Sequence, residues 1–156
     1  MNAQEIDFFW FSASGNTRLA VEAMRDVFAA AGRTVRLRRI ETAGAAPELA
    51  VHAALGVAFP VACGSTYPFV WRFFEALPGG EGREAFMVDT LGGASGAMVG
   101  PLRKLLERKG YRPVGAREIR MPGNFLMIPA ESAAPPMRDR GIAAARQYAD
   151  ELLQGT

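Results

Sequence analysis

Three hydroxyls, a glycine and an asparagine fall within six positions in Ser12-Ala13-Ser14-Gly15-Asn16-Thr17. The segment lies between a short apolar run, residues 6–11, and a stretch whose apolar residues recur at helical spacing. A loop that opens a helix presents backbone N–H groups with no intrahelical acceptor, and Ser and Thr side chains add neutral donors. A phosphate can accept from both. Gly15 lets an anion approach the backbone. Nucleotide-hydrolysing P-loops place a Lys after the last glycine. No Lys stands here, so the pattern suits a terminal phosphomonoester held without Mg²⁺. The simpler alternative is that Ser12, Ser14 and Thr17 only cap the helix.

Other chemistries are narrowed by scarcity. The chain has one cysteine, Cys63, and one histidine, His52. An intrachain disulfide, a cysteine zinc site and a four-cysteine iron–sulfur cluster are therefore excluded, and a Ser-His-Asp triad is disfavoured. Redox chemistry would have to come from a borrowed organic cofactor. With no His or Lys beside it in the sequence, Cys63 reads as an inert small side chain in a loop, with a place against a cofactor's edge as the alternative. Asp89, at the end of an apolar run, reads as local loop support, with a cofactor hydroxyl as the alternative. Arg18 falls on the solvent phase of its helix, and His52 precedes a strand on the solvent side. Phe69 and Trp71 read as core, Trp10 as core or sheet surface, and Tyr67 as core or ring-stacking.

The elements that position these loops alternate in type. Strands are expected at 6–11, around Val35 and Leu37 as an edge, at 54–59, at 85–88 and at 114–121, with Gly115 as a bulge. Helices are expected from Thr17 to a stop at Gly32, over 69–77, from Pro101 to a stop at Gly110, and over the C-terminal segment carrying Ile142, Ala145, Ala149, Leu152 and Leu153. A weak turn is expected at 43–48, and residues 122–136 read as a long Pro-rich loop. Alternation of this kind implies a mostly parallel sheet covered on both faces, with the site outside the carboxyl ends of the strands. The pattern alone leaves the spatial order of the strands open.

Composition bounds the rest. At 156 residues, 49% hydrophobic and 22% charged, the chain reads as one globular domain spanning 1–156. The longest apolar stretch, 53–63, is too short for a membrane span, and the polar N-terminus does not resemble a signal peptide. A cytoplasmic location is expected. A net charge of +2 with no nucleic-acid motif argues against a nucleic-acid role.

Ser-x-Ser-Gly-Asn-Thr after a strand resembles the flavodoxin signature Ser/Thr-x-Thr-Gly-x-Thr. Residues 60–68, Thr90-Leu91-Gly92-Gly93 and Met121-Pro122-Gly123-Asn124 extend the resemblance along the chain. It is nearest to the flavodoxin half of bacterial flavodoxin–ferredoxin fusion proteins. The resemblance implies an α/β three-layer sandwich with a five-stranded parallel sheet in the order 2-1-3-4-5, and FMN as cofactor. Carried over by position, Ser12, Ser14, Gly15, Asn16 and Thr17 would hold its phosphate. Pro60, Val61, Ala62, Cys63, Gly64, Thr66 and Tyr67 would flank one side of the flavin. Thr90, Leu91, Gly92 and Gly93 would flank the other, with Asn124 within reach.

Two departures qualify the likeness. The clustered cysteines of the fusion proteins are absent, so an iron–sulfur partner would act in trans. Carrier flavodoxins are acidic and stack aromatics on both ring faces, whereas this chain is mildly basic and residues 91–96 contain no aromatic. An open ring face would admit a small-molecule acceptor, and basic surroundings would raise the flavin potential. The leading expectation is an FMN electron-transfer protein or reductase served by a ferredoxin-type or nicotinamide donor. The alternatives are an NAD(P)H-dependent quinone or flavin reductase and a flavodoxin-like binding module that has lost flavin.

Overall fold

The computed structural model describes residues 1–44, 46–94, 96–123 and 134–155. Among these, five parallel strands form one sheet in the order β2-β1-β3-β4-β5: β1 (Glu5–Trp10), β2 (Thr34–Arg39), β3 (Ala54–Pro60), β4 (Glu84–Leu91) and β5 (Arg112–Arg120). Helices α1 (Asn16–Ala30), α2 (Pro68–Ala76), α3 (Val99–Arg108) and α4 (Ala134–Gln154) connect or cover them. The expected architecture and strand order are those observed.

The central strands are apolar on both faces because both faces are covered. Phe8, Ala58, Phe86 and Val88 point to the side of α1 and α4, where Met24, Phe28, Tyr148 and Leu152 meet them. Phe9, Val57, Phe59 and Met87 point to the other side, against Val70, Phe74, Leu102 and Leu106 of α2 and α3. Gly56 makes room for an edge-to-face pair. A methyl group there would lie 2.5 Å from the Phe86 ring and 2.7 Å from Phe8, whose ring centroids are 5.1 Å apart. β2 is the edge, as expected, and its arginines are exposed or half-buried. Arg36 reaches across to Asp7, which is fully buried and also accepts from the Ala50 amide.

Several boundaries differ from expectation. β4 runs to Leu91, so Thr90 and Leu91 belong to the strand rather than to the loop after it. The continuous ladder to β5, from Glu84 opposite Arg112 to Leu91 opposite Arg120, holds this extension in place. The bulge lies at Val114, where the register jumps from Pro113 to Gly115. A 3₁₀ turn forms at Ile40–Thr42, ahead of the predicted 43–48, and a second turn at Val51 and His52 leads into β3. α4 begins at Ala134, inside the expected loop. Pro135 and Pro136 fall in its first turn, where a missing N–H costs nothing.

Glu84 ties the chain's N-terminus to the start of β4. It accepts from the Asn2 and Ala3 amides at 2.7 and 3.1 Å and pairs with Arg112 at 2.7 Å. Burial pushes its carboxyl up, but these amides, the N-terminal ammonium and Arg112 together hold it below the usual range. No helix among the described residues is long and apolar enough to cross a membrane.

Candidate functional site

The sheet winds from β1 to β2 in one direction and from β1 to β3 in the other. Connections therefore leave in opposite directions at the carboxyl ends of β1 and β3, and a crevice opens between them. A cleft of about 360 Å³ lies there. Its walls come from the loops after β1, β3, β4 and β5, as the strand pattern predicts.

From the first loop, Ala13, Ser14, Asn16 and Thr17 line the cleft. Gly15 is the N-cap of α1 at φ 94°, a left-handed conformation that glycine adopts without strain, and a side chain there would meet nothing within 4 Å. As the N-cap residue it has no side chain with which to cap the helix. Leu19 is the first residue whose N–H finds an intrahelical carbonyl, that of Gly15 at 3.1 Å. The amides before it have no intrahelical acceptor, and they carry the positive end of the helix dipole toward the cleft. Ser12 accepts from the Gly15 N–H at 3.0 Å and shapes the loop from outside the cleft.

Two further side chains brace the loop. The Asn16 amide donates to the Pro122 carbonyl at 2.8 Å, joining the first loop to the fourth. The Thr17 and Thr90 hydroxyls share a buried hydrogen bond of 2.7 Å, joining α1 to the end of β4. Arg18 is exposed and faces Glu22 at 3.6 Å, as its helical phase predicts.

The second loop is a tight hairpin. Ala62 and Ser65 exchange both backbone hydrogen bonds, at 2.7 and 3.0 Å. Cys63 and Gly64 between them stand at φ 50° and 74°, the pair of positive angles that a type I′ turn requires. Pro60, Val61, Ala62, Cys63 and Tyr67 line the cleft; Gly64 and Thr66 do not. Thr66 is buried and donates to the Pro60 carbonyl at 3.0 Å, closing the loop from below. Tyr67 lies edge-on to Phe11, with centroids 5.0 Å apart, and Phe11 lies edge-on to Phe69 at 4.8 Å. Phe69 and Trp71 are half-buried, and Trp71 donates to the Ser65 hydroxyl at 3.2 Å. Both pack against the edge of the α2–α3 core, as expected, and neither lines the cleft.

From the third loop, Thr90, Leu91 and Gly92 line the cleft and Gly93 does not. This loop touches both neighbours backbone to backbone. A methyl group on Gly96 would collide with the Gly64 backbone, and one on Gly92 would lie 2.8 Å from the Gly123 Cα. Met121, Pro122 and Gly123 complete the walls. They belong to the segment that carried the resemblance, but nothing in their side chains marks them as ligand-facing in the sequence. Asn124 lies outside the described residues.

Asp89 contradicts its sequence reading as loop support. It is 1% exposed, and neither carboxylate oxygen has a hydrogen-bond partner among the described residues. Strand alternation turns it toward the α2–α3 face beside Phe59 and Glu118, away from the cleft that its neighbour Thr90 lines. Burial pushes its carboxyl up to about 7, and Glu118 adds in the same direction. His52 is exposed, as expected.

With this geometry in view, likeness to solved proteins can be weighed. Flavodoxin 1 from Bacillus cereus superposes with a TM-score of 0.70 at 15% identity, over 96% of this chain and 97% of that one. A Streptococcus pneumoniae flavodoxin gives 0.69 at 17% identity, over 97% and 99%. The fold is that of the flavodoxins. The flavodoxin-like fold also covers a structure described as an NADH:FMN oxidoreductase, with a TM-score of 0.58 at 20% identity over 93% of this chain and 89% of that one. No protein-family model and no curated protein sequence matches the chain.

The cleft fits FMN on its own features. The glycine-capped α1 terminus and its open Gly15 suit a phosphate. The cleft falls within the size range of small-molecule sites, and its walls are mostly apolar with a few polar atoms. The tyrosine on one wall offers a flat aromatic surface to a ring.

Proposed function

We propose that this chain binds one FMN at the carboxyl end of its sheet and passes electrons through it. The observation that carries this reading is the glycine-capped N-terminus of α1 opening into a cleft walled by all four carboxyl-end loops. The backbone amides of that terminus, with the Ser14 and Thr17 hydroxyls, would hold the phosphate. Val61, Ala62 and Tyr67 on one side and Leu91 and Gly92 on the other would bracket the flavin. Bound FMN supplies the electron and hydride chemistry. The chain's own work is to bind, to orient and to leave part of the ring accessible.

The residues 91–94, Leu-Gly-Gly-Ala, raise no aromatic over the cleft. That favours a second reading within the same site, a reductase that admits a nicotinamide donor or a small-molecule acceptor. The likeness of motifs to flavodoxin–ferredoxin fusion proteins, in a chain without their cysteines, favours an iron–sulfur partner in trans. Anaerobic mixing of the FMN-loaded protein with NADPH, NADH or reduced ferredoxin separates the two. Rapid bleaching by a nicotinamide supports the reductase, and bleaching by ferredoxin alone supports the carrier. A protein that takes up no FMN overturns both.

A further inference from the structure

The rim of the cleft is basic. In a parallel sheet with helical crossovers, every helix that follows a strand begins at the strands' carboxyl end, so the first turns of α2, α3 and α4 gather around the site. Arg72 and Lys104 lie about one turn into α2 and α3, and both are exposed. Arg120 ends β5. A methyl group on Gly141 would lie 2.6 Å from the Arg120 carbonyl and from Met121 Sδ. That contact seats exposed Arg138 and Arg140 beside the wall that Met121 contributes to the cleft. None of these five cations forms an ion pair among the described residues.

Carboxylates are fewer at this end. Glu41 pairs with Arg39, and exposed Glu118 stands two residues before Arg120 in β5. Asp139 sits between Arg138 and Arg140, and Glu48 lies in the loop before β3. Among the described residues at this end, the exposed cations without an ion pair therefore outnumber the exposed carboxylates. Inside the rim, half-buried Phe11, Tyr67 and Phe69 supply an aromatic centre. An aromatic centre within a charged rim is the composition of a protein-docking surface, and the rim's sign selects the partner.

We propose that this face docks an acidic electron-transfer protein, one whose redox centre lies beneath a patch of Asp and Glu. The docking rests on the charge pattern, and its role in electron transfer rests on the FMN reading above. Exposed charges act across roughly one Debye length, so they govern encounter and salt dependence more than final affinity.

The test titrates the FMN-loaded protein with an acidic plant-type [2Fe–2S] ferredoxin as probe and with basic cytochrome c as control. Retained flavin is measured separately. Ferredoxin is expected to bind and cytochrome c is not, with affinity falling about tenfold or more as salt rises to about 0.5 M. Arg120→Glu with Arg138→Glu should lose binding comparably, and Arg120→Lys with Arg138→Lys should keep it, with flavin retention unchanged in both. Preference for cytochrome c or a DNA duplex, or ferredoxin binding indifferent to salt and to charge reversal, overturns the proposal. Salt-sensitive ferredoxin binding by a protein that retains no flavin supports the docking and defeats the FMN reading. Flavin retention with no ferredoxin binding defeats the docking alone.

Discussion

The hydroxyls of Thr17 and Thr90 lie 2.7 Å apart and buried, and they fasten the first turn of α1 to the carboxyl end of β4. One of these elements presents the amides proposed to hold the phosphate, and the other leads into the opposite wall of the cleft. The pair therefore sets the spacing between the two walls.

Thr17→Val or Thr90→Val leaves one buried hydroxyl without its partner. Each single change should lower stability by about 1–2 kcal/mol, and the double change should cost less than the two together. Chemical denaturation of the four proteins closes this cycle. Strict additivity would mean that the hydrogen bond contributes nothing specific.

Asp89 and Glu84 should give stability opposite pH dependences. The Asp89 carboxyl is raised to about 7 in the folded chain from an ordinary 3.8. The unfolded chain therefore releases this proton first, and stability falls as pH rises from about 4 to 7. Asp89→Asn should stabilise the protein at pH 8, by on the order of 2–4 kcal/mol, with the gain fading toward pH 4. Glu84 is held below its ordinary 4.5, so its contribution is present at neutral pH and is lost as pH falls through its lowered value. Glu84→Gln should cost about 1–3 kcal/mol at pH 7 and less in acid. Urea midpoints across pH check both signs, and a gain from Asp89→Asn that does not depend on pH would refute the first.

Gly96→Ala tests the contact between the second and third loops. The added methyl meets the Gly64 backbone, and Gly96 itself stands at φ 70°. The substitution should push the loops apart and weaken flavin binding at least tenfold, while the far-ultraviolet circular dichroism stays that of the parent. Gly93→Ala, where nothing lies within 4 Å, is the control and should change binding little.

The fold was legible because its signals were redundant. Apolar runs such as 54–59, the glycine stops after α1 and α3, and the alternating order all pointed to one architecture. The junction that opens α1 was legible because hydroxyls and a glycine between an apolar run and a helical period mark a strand–helix turn. What escaped was set by tertiary contacts. The extension of β4 to Leu91 depends on pairing with β5, and a single sequence does not show that pairing. Asp89 read as a loop residue because a carboxylate after an apolar run is ordinarily at a surface; only the sheet register shows it enclosed between Phe59 and Glu118. Asn16 and Thr17 carried polar atoms suited to a phosphate, yet their side chains also brace the loop against Pro122 and Thr90. Met121 and Pro122 line the cleft through position alone.

The proposed function assigns a phosphate to the α1 terminus and a flavin to the cleft above it. Calorimetric titration with FMN and with riboflavin, which lacks only the phosphate, tests both parts at once. FMN should bind one per chain, and riboflavin should bind about a hundredfold more weakly or worse. Ser14→Ala with Thr17→Val should shrink that difference. Equal affinity for the two flavins would contradict the phosphate assignment, and no binding of either would contradict the account as a whole.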